Sequence, residues 1–480
     1  MNPWWVGKPG RVLPTFKRWA FERTLRGLRS GMAPITVVRG PRQVGKSTIQ
    51  DQIIEHLLAE GVSPKRVLRV QFDDLRPLTG RGIALPVQMI AAWFEDRILG
   101  RTFNEAARAD EPAYLMLDEV QNLGEWATEL KHLVDMNTVR VLVTGSSALR
   151  IASGNDSLAG RVSTIELGPL LLHEVAQLRL GSGLRPLLAE NGIDRLAEKQ
   201  TWLDLRAHGA RHRAERDAAF AMWSERGGYP RAQERSDEPW PAVADALVET
   251  VIKRAIQHDL RQGERGRKRD ESLLSEVFKL ACRYAGQSPR QAVFIDEIRS
   301  ALSANIGWQR VASYLSFLEG AMLLRQVQPL ELRLKRKRGP SKLCLCDHGL
   351  RAAWLQEVIP LGEEALARAP AQADLAGHIA ESAAGYFLST VPHLDVAHFP
   401  ERGAEPEVDF VATVGTHRIP IEVKYQRRID GHRDTRGLRA FLEKTVYNAP
   451  FGVLVTLRDD VQIEDPRIVA LPLASLLLLR

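Results

Sequence analysis

Apolar runs of four to six residues alternate with helical spacing over the first part of the chain. Ile35-Thr36-Val37-Val38, Val67 to Phe72, Ala113 to Leu117 and Val139 to Thr144 have the length and near-continuous apolarity of strands buried on both faces. Thr48 to Leu58 carries helical spacing between the first two. Strands alternating with helices predict a parallel sheet, with functional loops at the C-terminal strand ends. From Leu170 to about Leu260 the pattern turns helical and charged. Gly227-Gly228-Tyr229-Pro230 breaks it as a turn, and Val251 to Leu260 resumes a helix. Three amphipathic helices follow, Ser272 to Tyr284, Ile295 to Ala304 and Trp308 to Leu318, then two short strands, Leu323 to Val327 and Lys342 to Cys346. In the last hundred residues, Gly377 to Leu388 predicts a helix, Val408 to Val414 an alternating strand, and Arg418 to Tyr425 its return after a turn at Gly415-Thr416. Ile468 to Leu479 reads as a final strand and short helix in a core.

The 480 residues predict about three or four domains. With 44% hydrophobic and 26% charged residues the composition is that of a soluble globular protein. A balance of 66 basic against 59 acidic residues gives +7 and a pI near 9.3, mild enough that local clustering decides more than the total. Cys282, Cys344 and Cys346 supply neither a disulfide framework nor a four-ligand zinc site, and read as packing residues in a reducing cytosol. The opening MNPWWVGKPGR lacks the apolar stretch of a signal peptide, and Ile468 to Leu479 is too short to span a bilayer. The expectation is a cytoplasmic protein without a membrane partner.

Gly40-Pro41-Arg42-Gln43-Val44-Gly45-Lys46-Ser47, followed by Thr48, is a Gly-x-x-x-x-Gly-Lys-Ser loop between a strand and a helix. In that context its backbone N–H groups cradle a β-phosphate. Lys46 brings charge to the β- and γ-phosphates, Ser47 places a hydroxyl on Mg²⁺, and the helix dipole adds to the anion site. The strand Ala113 to Leu117 ends in Asp118 and Glu119. Asp118 suits direct or water-mediated Mg²⁺ ligation, and Glu119 suits polarising an attacking water. The chain is therefore expected to bind ATP or GTP with Mg²⁺ and to hydrolyse it. At the end of the next strand Ser146 is placed either to sense the γ-phosphate or to cap the following turn. Arg161, in Leu158-Ala159-Gly160-Arg161, reads either as an arginine finger for a neighbouring subunit or as one half of a salt bridge.

The three helices and two strands over residues 266–350 outline a winged helix, and the segment between the strands, Arg333 to Arg338, has five basic residues in six. In such a module the third helix can enter a major groove and the hairpin tip can track phosphates. Gln309, Arg310 and Ser313 would then face DNA, with Arg336, Lys337 and Arg338 on the backbone; the other reading is a solvated basic loop on a module used for packing. Further on, Asp409 opens one strand of the C-terminal hairpin, Glu422 and Lys424 share a face of the other, and Glu381 lies on the preceding helix. Regular pairing sets Asp409 beside Glu422. Oxygen ligands of this kind hold Mg²⁺ or Mn²⁺ for phosphodiester hydrolysis, with Lys424 on the water or the developing charge. The alternative is an exposed strand face with a Glu–Lys pair.

GPRQVGKST at Gly40, LDEVQ at Leu117, TGSSALRI at Thr144, LAGR at Leu158, GGYP at Gly227, and EVDF and IEVK at Glu407 and Ile421 follow one another along nearly the whole chain. In this the chain resembles the bacterial and archaeal P-loop ATPases of the AAA+/STAND type that carry a winged helix and a C-terminal PD-(D/E)xK nuclease-like domain. The resemblance implies a multidomain α/β fold: an AAA+-like parallel sheet over residues 1–170, a helical domain over 171–265, a winged helix over 266–350 and a nuclease-like α/β domain over 370–480. It also implies ATP rather than GTP, nucleotide-dependent homo-oligomerisation, and a C-terminal domain that is inactive in some members. Two functions follow. One is an ATP-hydrolysing DNA-binding oligomer that cuts DNA; the other is an ATP-driven assembly switch whose nuclease-like domain is a scaffold.

Overall fold

The computed structural model describes residues 2–30, 32–72, 85–123, 126–145, 158–188, 193–256, 271–303, 306–331, 339–401, 403 and 405–480. These form two compact units, Met1–Gly168 and Pro169–Arg480. The fold is mixed α/β, with a five-stranded parallel sheet, a helical middle and a C-terminal sheet domain. Among the described residues no helix is long and apolar enough to cross a membrane.

In the first unit the strands β1 (Ile35–Arg39), β2 (Val67–Gln71), β3 (Tyr114–Asp118), β4 (Arg140–Gly145) and β5 (Val162–Glu166) stand in the order β2-β3-β4-β1-β5, all parallel. β1, β3 and β4 lie inside the sheet, which is why they read as continuous apolar runs. β5, Val-Ser-Thr-Ile-Glu, is an edge strand with a half-polar surface, and no strand was expected there. The opposite edge, β2, is covered by the N-terminal segment. Asn2 exchanges hydrogen bonds with the Arg69 backbone at 2.7 and 3.1 Å, and the Trp4 and Trp5 indoles donate to the Val67 carbonyl. Covering an edge in this way occupies backbone groups that would otherwise pair with another chain. Leu115, Leu117, Val141 and Val143 join Phe94, Phe103, Trp126 and Leu130 in the core on one face.

In the second unit, helices cover Leu172–Leu180, Lys199–Arg211 and Arg213–Arg226. The Gly227–Pro230 turn packs against Asp347, whose carboxylate accepts the Gly228 N–H at 2.5 Å. Gly227 has φ +77°, and a Cβ there would collide with the same carboxylate, so this turn needs its glycine. Helices Glu271–Arg283, Gln291–Leu302 and Trp308–Gly320 precede a two-stranded antiparallel sheet of β6 (Leu324–Val327) and β7 (Lys342–Leu345). The C-terminal sheet has the order β12-β11-β10-β9-β8, built from β8 (Asp395–Phe399), β9 (Val408–Val414), β10 (His417–Lys424), β11 (Gly452–Thr456) and β12 (Ile468–Pro472). β8, β9 and β10 are antiparallel neighbours, and β10, β11 and β12 are parallel. Helix Ala373–Ser389 packs on β7 and β10, and helix Arg436–Leu442 contributes Leu438 and Phe441 to the apolar core of this sheet. The expected final strand and short helix are β12 and Leu473–Leu476. All three cysteines are buried thiols, and burial pushes Cys282 up to about 12.

Candidate functional sites

The loop Gly40–Ser47 leaves the C-terminal end of β1 and runs into helix Lys46–Ala59. Its conformation depends on two residues with positive φ, Gln43 at 66° and Gly45 at 96°. Gly40 is fixed differently: a Cβ there would strike the Leu167 carbonyl. The Lys46 ammonium is buried and donates to the carbonyls of Gly40 at 3.0 Å and Pro41 at 2.7 Å. Arg18, which sequence reasoning passed over, is also buried, and donates to the Val44 and Gly168 carbonyls. Arg42 lies within the loop, and Thr48, the residue after it, accepts a hydrogen bond from Arg11.

Asp118 ends β3 beside this loop. Its Oδ1 accepts the Ser47 hydroxyl at 3.1 Å and the Thr144 hydroxyl, and its Oδ2 accepts Arg69 at 3.2 Å. Ser47 and Asp118 are thus brought together, and two unforeseen residues, Thr144 and Arg69, orient the carboxylate. Arg69 also pairs at 3.0 Å with Asp51, which burial shifts upward against the pull of Arg69 and Arg11. The signal for Arg69 was an arginine between Leu68 and Val70 in a strand of mostly apolar residues, where a charge needs a partner. Glu119 follows with φ 54°, a strained conformation for a non-glycine residue and one that occurs at functional positions. A hydroxyl beside a carboxylate, with a buried lysine in the loop, is a donor set suited to a phosphate-bound Mg²⁺.

Arg161 lies at the other end of the sheet. Its carbonyl accepts the N–H of Ile35, the first residue of β1, so it is one strand length, roughly 16 Å, from Gly40. Its guanidinium pairs with Asp135, donating Nη2 to Oδ2 at 3.0 Å. Ser146 lies outside the described residues.

The second cluster lies in the C-terminal sheet domain. It brings Glu381 on helix Ala373–Ser389, Asp409 on β9, and Glu422 and Lys424 on β10 into one chain of interactions. Asp409 Oδ2 accepts the Val423 N–H at 2.8 Å, and Glu422 Oε1 pairs with Lys424 at 2.6 Å while its Oε2 is buried with no hydrogen-bond partner among the described residues. Burial, then the Asp409 charge, pushes Glu381 up to about 7 and Glu422 up to about 8. Burial works against ionisation of Asp409 too, but Lys342, a hydrogen bond from Glu381 and Lys424 hold it below its usual range.

Lys342, the first residue of β7, was not expected here. Its ammonium contacts Glu381, Asp409 at 3.0 Å and Glu407 at 3.3 Å. Burial would lower its pKa, but the charges of Asp409, Glu381 and Glu407 outweigh that and hold it well above the usual lysine range. The carboxylates therefore surround an ammonium. Among the described residues no group of three or more His, Cys, Asp or Glu side chains is placed to hold a metal ion. As they stand, Glu381, Asp409 and Glu422 do not fit a Mg²⁺ or Mn²⁺ site.

Gln309, Arg310 and Ser313 are exposed on helix Trp308–Gly320. Arg336, Lys337 and Arg338 lie outside the described residues.

Residues 32–176 match the model of the AAA domain. Residues 217–358 and 377–476 match two domains of unknown function, DUF8612 and DUF4143. An uncharacterized protein of Mycobacterium tuberculosis is 24% identical over 339 residues, covering 70% of this chain and 58% of that one. One of Haemophilus influenzae is 22% identical over 327 residues, 66% of this chain and 68% of that one. The chain thus spans 58% of the length of the mycobacterial relative. Among solved structures, a Walker-type ATPase of Pyrococcus abyssi aligns with 14% identity and a TM-score of 0.40, covering 71% of this chain and 96% of that one. Domain III of the Thermotoga maritima replication initiation protein DnaA aligns with 16% identity and a TM-score of 0.22, covering 42% and 87%. The AAA match falls on the parallel sheet and the Gly40–Ser47 loop, so the N-terminal unit carries an AAA-like P-loop ATPase domain.

Proposed function

We propose that the chain is an ATP-driven, DNA-binding switch that assembles with copies of itself, and that its nuclease-like C-terminal domain serves as a scaffold. The observation that carries the ATPase part is the 3.1 Å contact between the Ser47 hydroxyl and Asp118 beside the buried Lys46. Gly40 to Thr48 would wrap the phosphates, Lys46 would leave the loop carbonyls for the β- and γ-phosphates, and Ser47 and Asp118 would hold Mg²⁺. Bound Mg²⁺ offsets charge on the phosphates. Glu119 would orient the attacking water, with Ser146 at the γ-phosphate.

The domain limits that fit this reading are 1–170, 171–265, 266–350 and 370–480. The exposed Arg310 supports DNA contact through a winged helix, with Arg336, Lys337 and Arg338 on the backbone. The distance of Arg161 from its own loop supports a role in a neighbouring subunit, and hence an oligomer. Turnover of ATP by the full chain with Mg²⁺ tests the core. Lys46→Ala should lower it by on the order of 10²- to 10³-fold, the loss typical of removing one transition-state charge interaction, and Glu119→Gln should abolish turnover while retaining ATP. Unchanged turnover in Lys46→Ala would sink the reading. The convergence of Asp409, Glu422 and Lys424 favours a second reading, DNA cleavage. Cutting in Mg²⁺ or Mn²⁺ that Glu422→Gln abolishes would replace the scaffold with a nuclease.

A further inference from the structure

Lys342 reaches the C-terminal cluster from the β6–β7 hairpin, whereas its partners belong to helix Ala373–Ser389 and to β9 and the residue before it. It is 1% exposed. An ammonium has three N–H donors and no acceptor, and Lys342 meets three carboxylates, those of Glu381, Glu407 and Asp409. Asp409 is engaged on both oxygens, by Lys342 and by the Val423 N–H. A divalent cation needs about six oxygens in its shell. Here it would share Glu381 and Asp409 with a positive charge already touching both. At such spacing, in a site shielded from water, two cations repel strongly.

We propose that Lys342 is the resident cation of this cluster and that its ammonium keeps divalent metal out. The cluster then joins the hairpin to the C-terminal sheet. Without the ammonium, Glu381, Asp409 and Glu422 would be left as three carboxyls free to close on Mg²⁺ or Mn²⁺, ions that take all-oxygen donor sets. The inference deepens the scaffold reading, and rests on it.

The test is Mn²⁺ binding to the nucleotide-free full chain, read from the loss of the free Mn²⁺ electron paramagnetic resonance signal. Wild type and Asp409→Asn should bind alike, because the cluster is closed in both. Lys342→Met should gain about one Mn²⁺ per chain, and adding Asp409→Asn should remove it. Lys342→Gln, which keeps an N–H donor without the charge, repeats the comparison if Lys342→Met does not fold. A Mn²⁺ that wild type binds and Asp409→Asn loses would overturn the inference, as would a folded Lys342→Met or Lys342→Gln that gains none. Wild-type binding without DNA cleavage would overturn this inference alone and leave the scaffold reading intact. Cleavage abolished by Glu422→Gln would overturn the scaffold reading itself.

Discussion

Among the described residues Glu422 has a hydrogen-bonding partner for one of its two oxygens, and burial, followed by the Asp409 charge, pushes its carboxyl up to about 8. The ordinary value is 4.5. A carboxyl whose folded pKa lies above its unfolded one binds its proton more tightly in the fold. Its contribution to stability is therefore present at low pH and is lost as pH rises from about 4.5 through about 8. Glu422→Gln keeps the shape and removes the titration. Its melting temperature should fall less than that of wild type between about pH 6 and about pH 9. Parallel declines would show that Glu422 does not titrate in this window. Arg69 presents the opposite case, a charge that cannot be spared. It faces Asp118 and Asp51, and Asp118 is 2% exposed. Arg69→Ala leaves that carboxylate short of its counter-ion and should cost roughly 3–5 kcal/mol, read as a lower urea midpoint. A shift below about 1 kcal/mol would mean that Ser47 and Thr144 suffice to hold Asp118.

At the scale of elements, helix Ala373–Ser389 lies so close to β7 and β9 that a Cβ on Gly385 would stand 2.5 Å from both Cys344 Sγ and the Phe410 ring. Gly385→Ala should destabilise the second unit by about 1–3 kcal/mol through overpacking. A variant with the wild-type denaturation midpoint would show that the helix can shift outward freely. Strands β1, β3 and β4 were legible because a strand buried on both faces must be apolar throughout. β5 was not, because an edge strand keeps polar residues. Ser47 and Asp118 were legible because the loop and the strand end each carry a local pattern. Lys342 was not, because Glu381 and Asp409 lie 39 and 67 residues away and no local spacing connects them. What the sequence did offer was a lysine at the head of the strand Lys342–Leu345, every residue of which is buried, and a buried lysine requires partners.

For the molecule as a whole, DNA binding would draw on the Arg333–Arg338 segment more than on a net charge of only +7. Neutralising Arg336, Lys337 and Arg338 together should flatten the dependence of log K on log salt by up to about 2.7, roughly 0.9 for each phosphate that no longer meets a cationic side chain. An unchanged slope would remove the segment from the interface. Arg161 poses the question of assembly. It sits at the N-terminal end of β1 and β5, paired with Asp135, a strand length from its own Gly40. No rotamer spans that distance, so any contact with a γ-phosphate must be with the phosphate of another copy. Arg161→Ala would then retain an intact loop without a finger, and Lys46→Ala an intact finger without a loop. Each alone should turn over little ATP. Mixed in equal amounts, with random pairing across a head-to-tail interface, they should recover about a quarter of wild-type turnover. Wild-type turnover in Arg161→Ala alone, or no recovery on mixing, would leave Arg161 as the partner of Asp135 and nothing more.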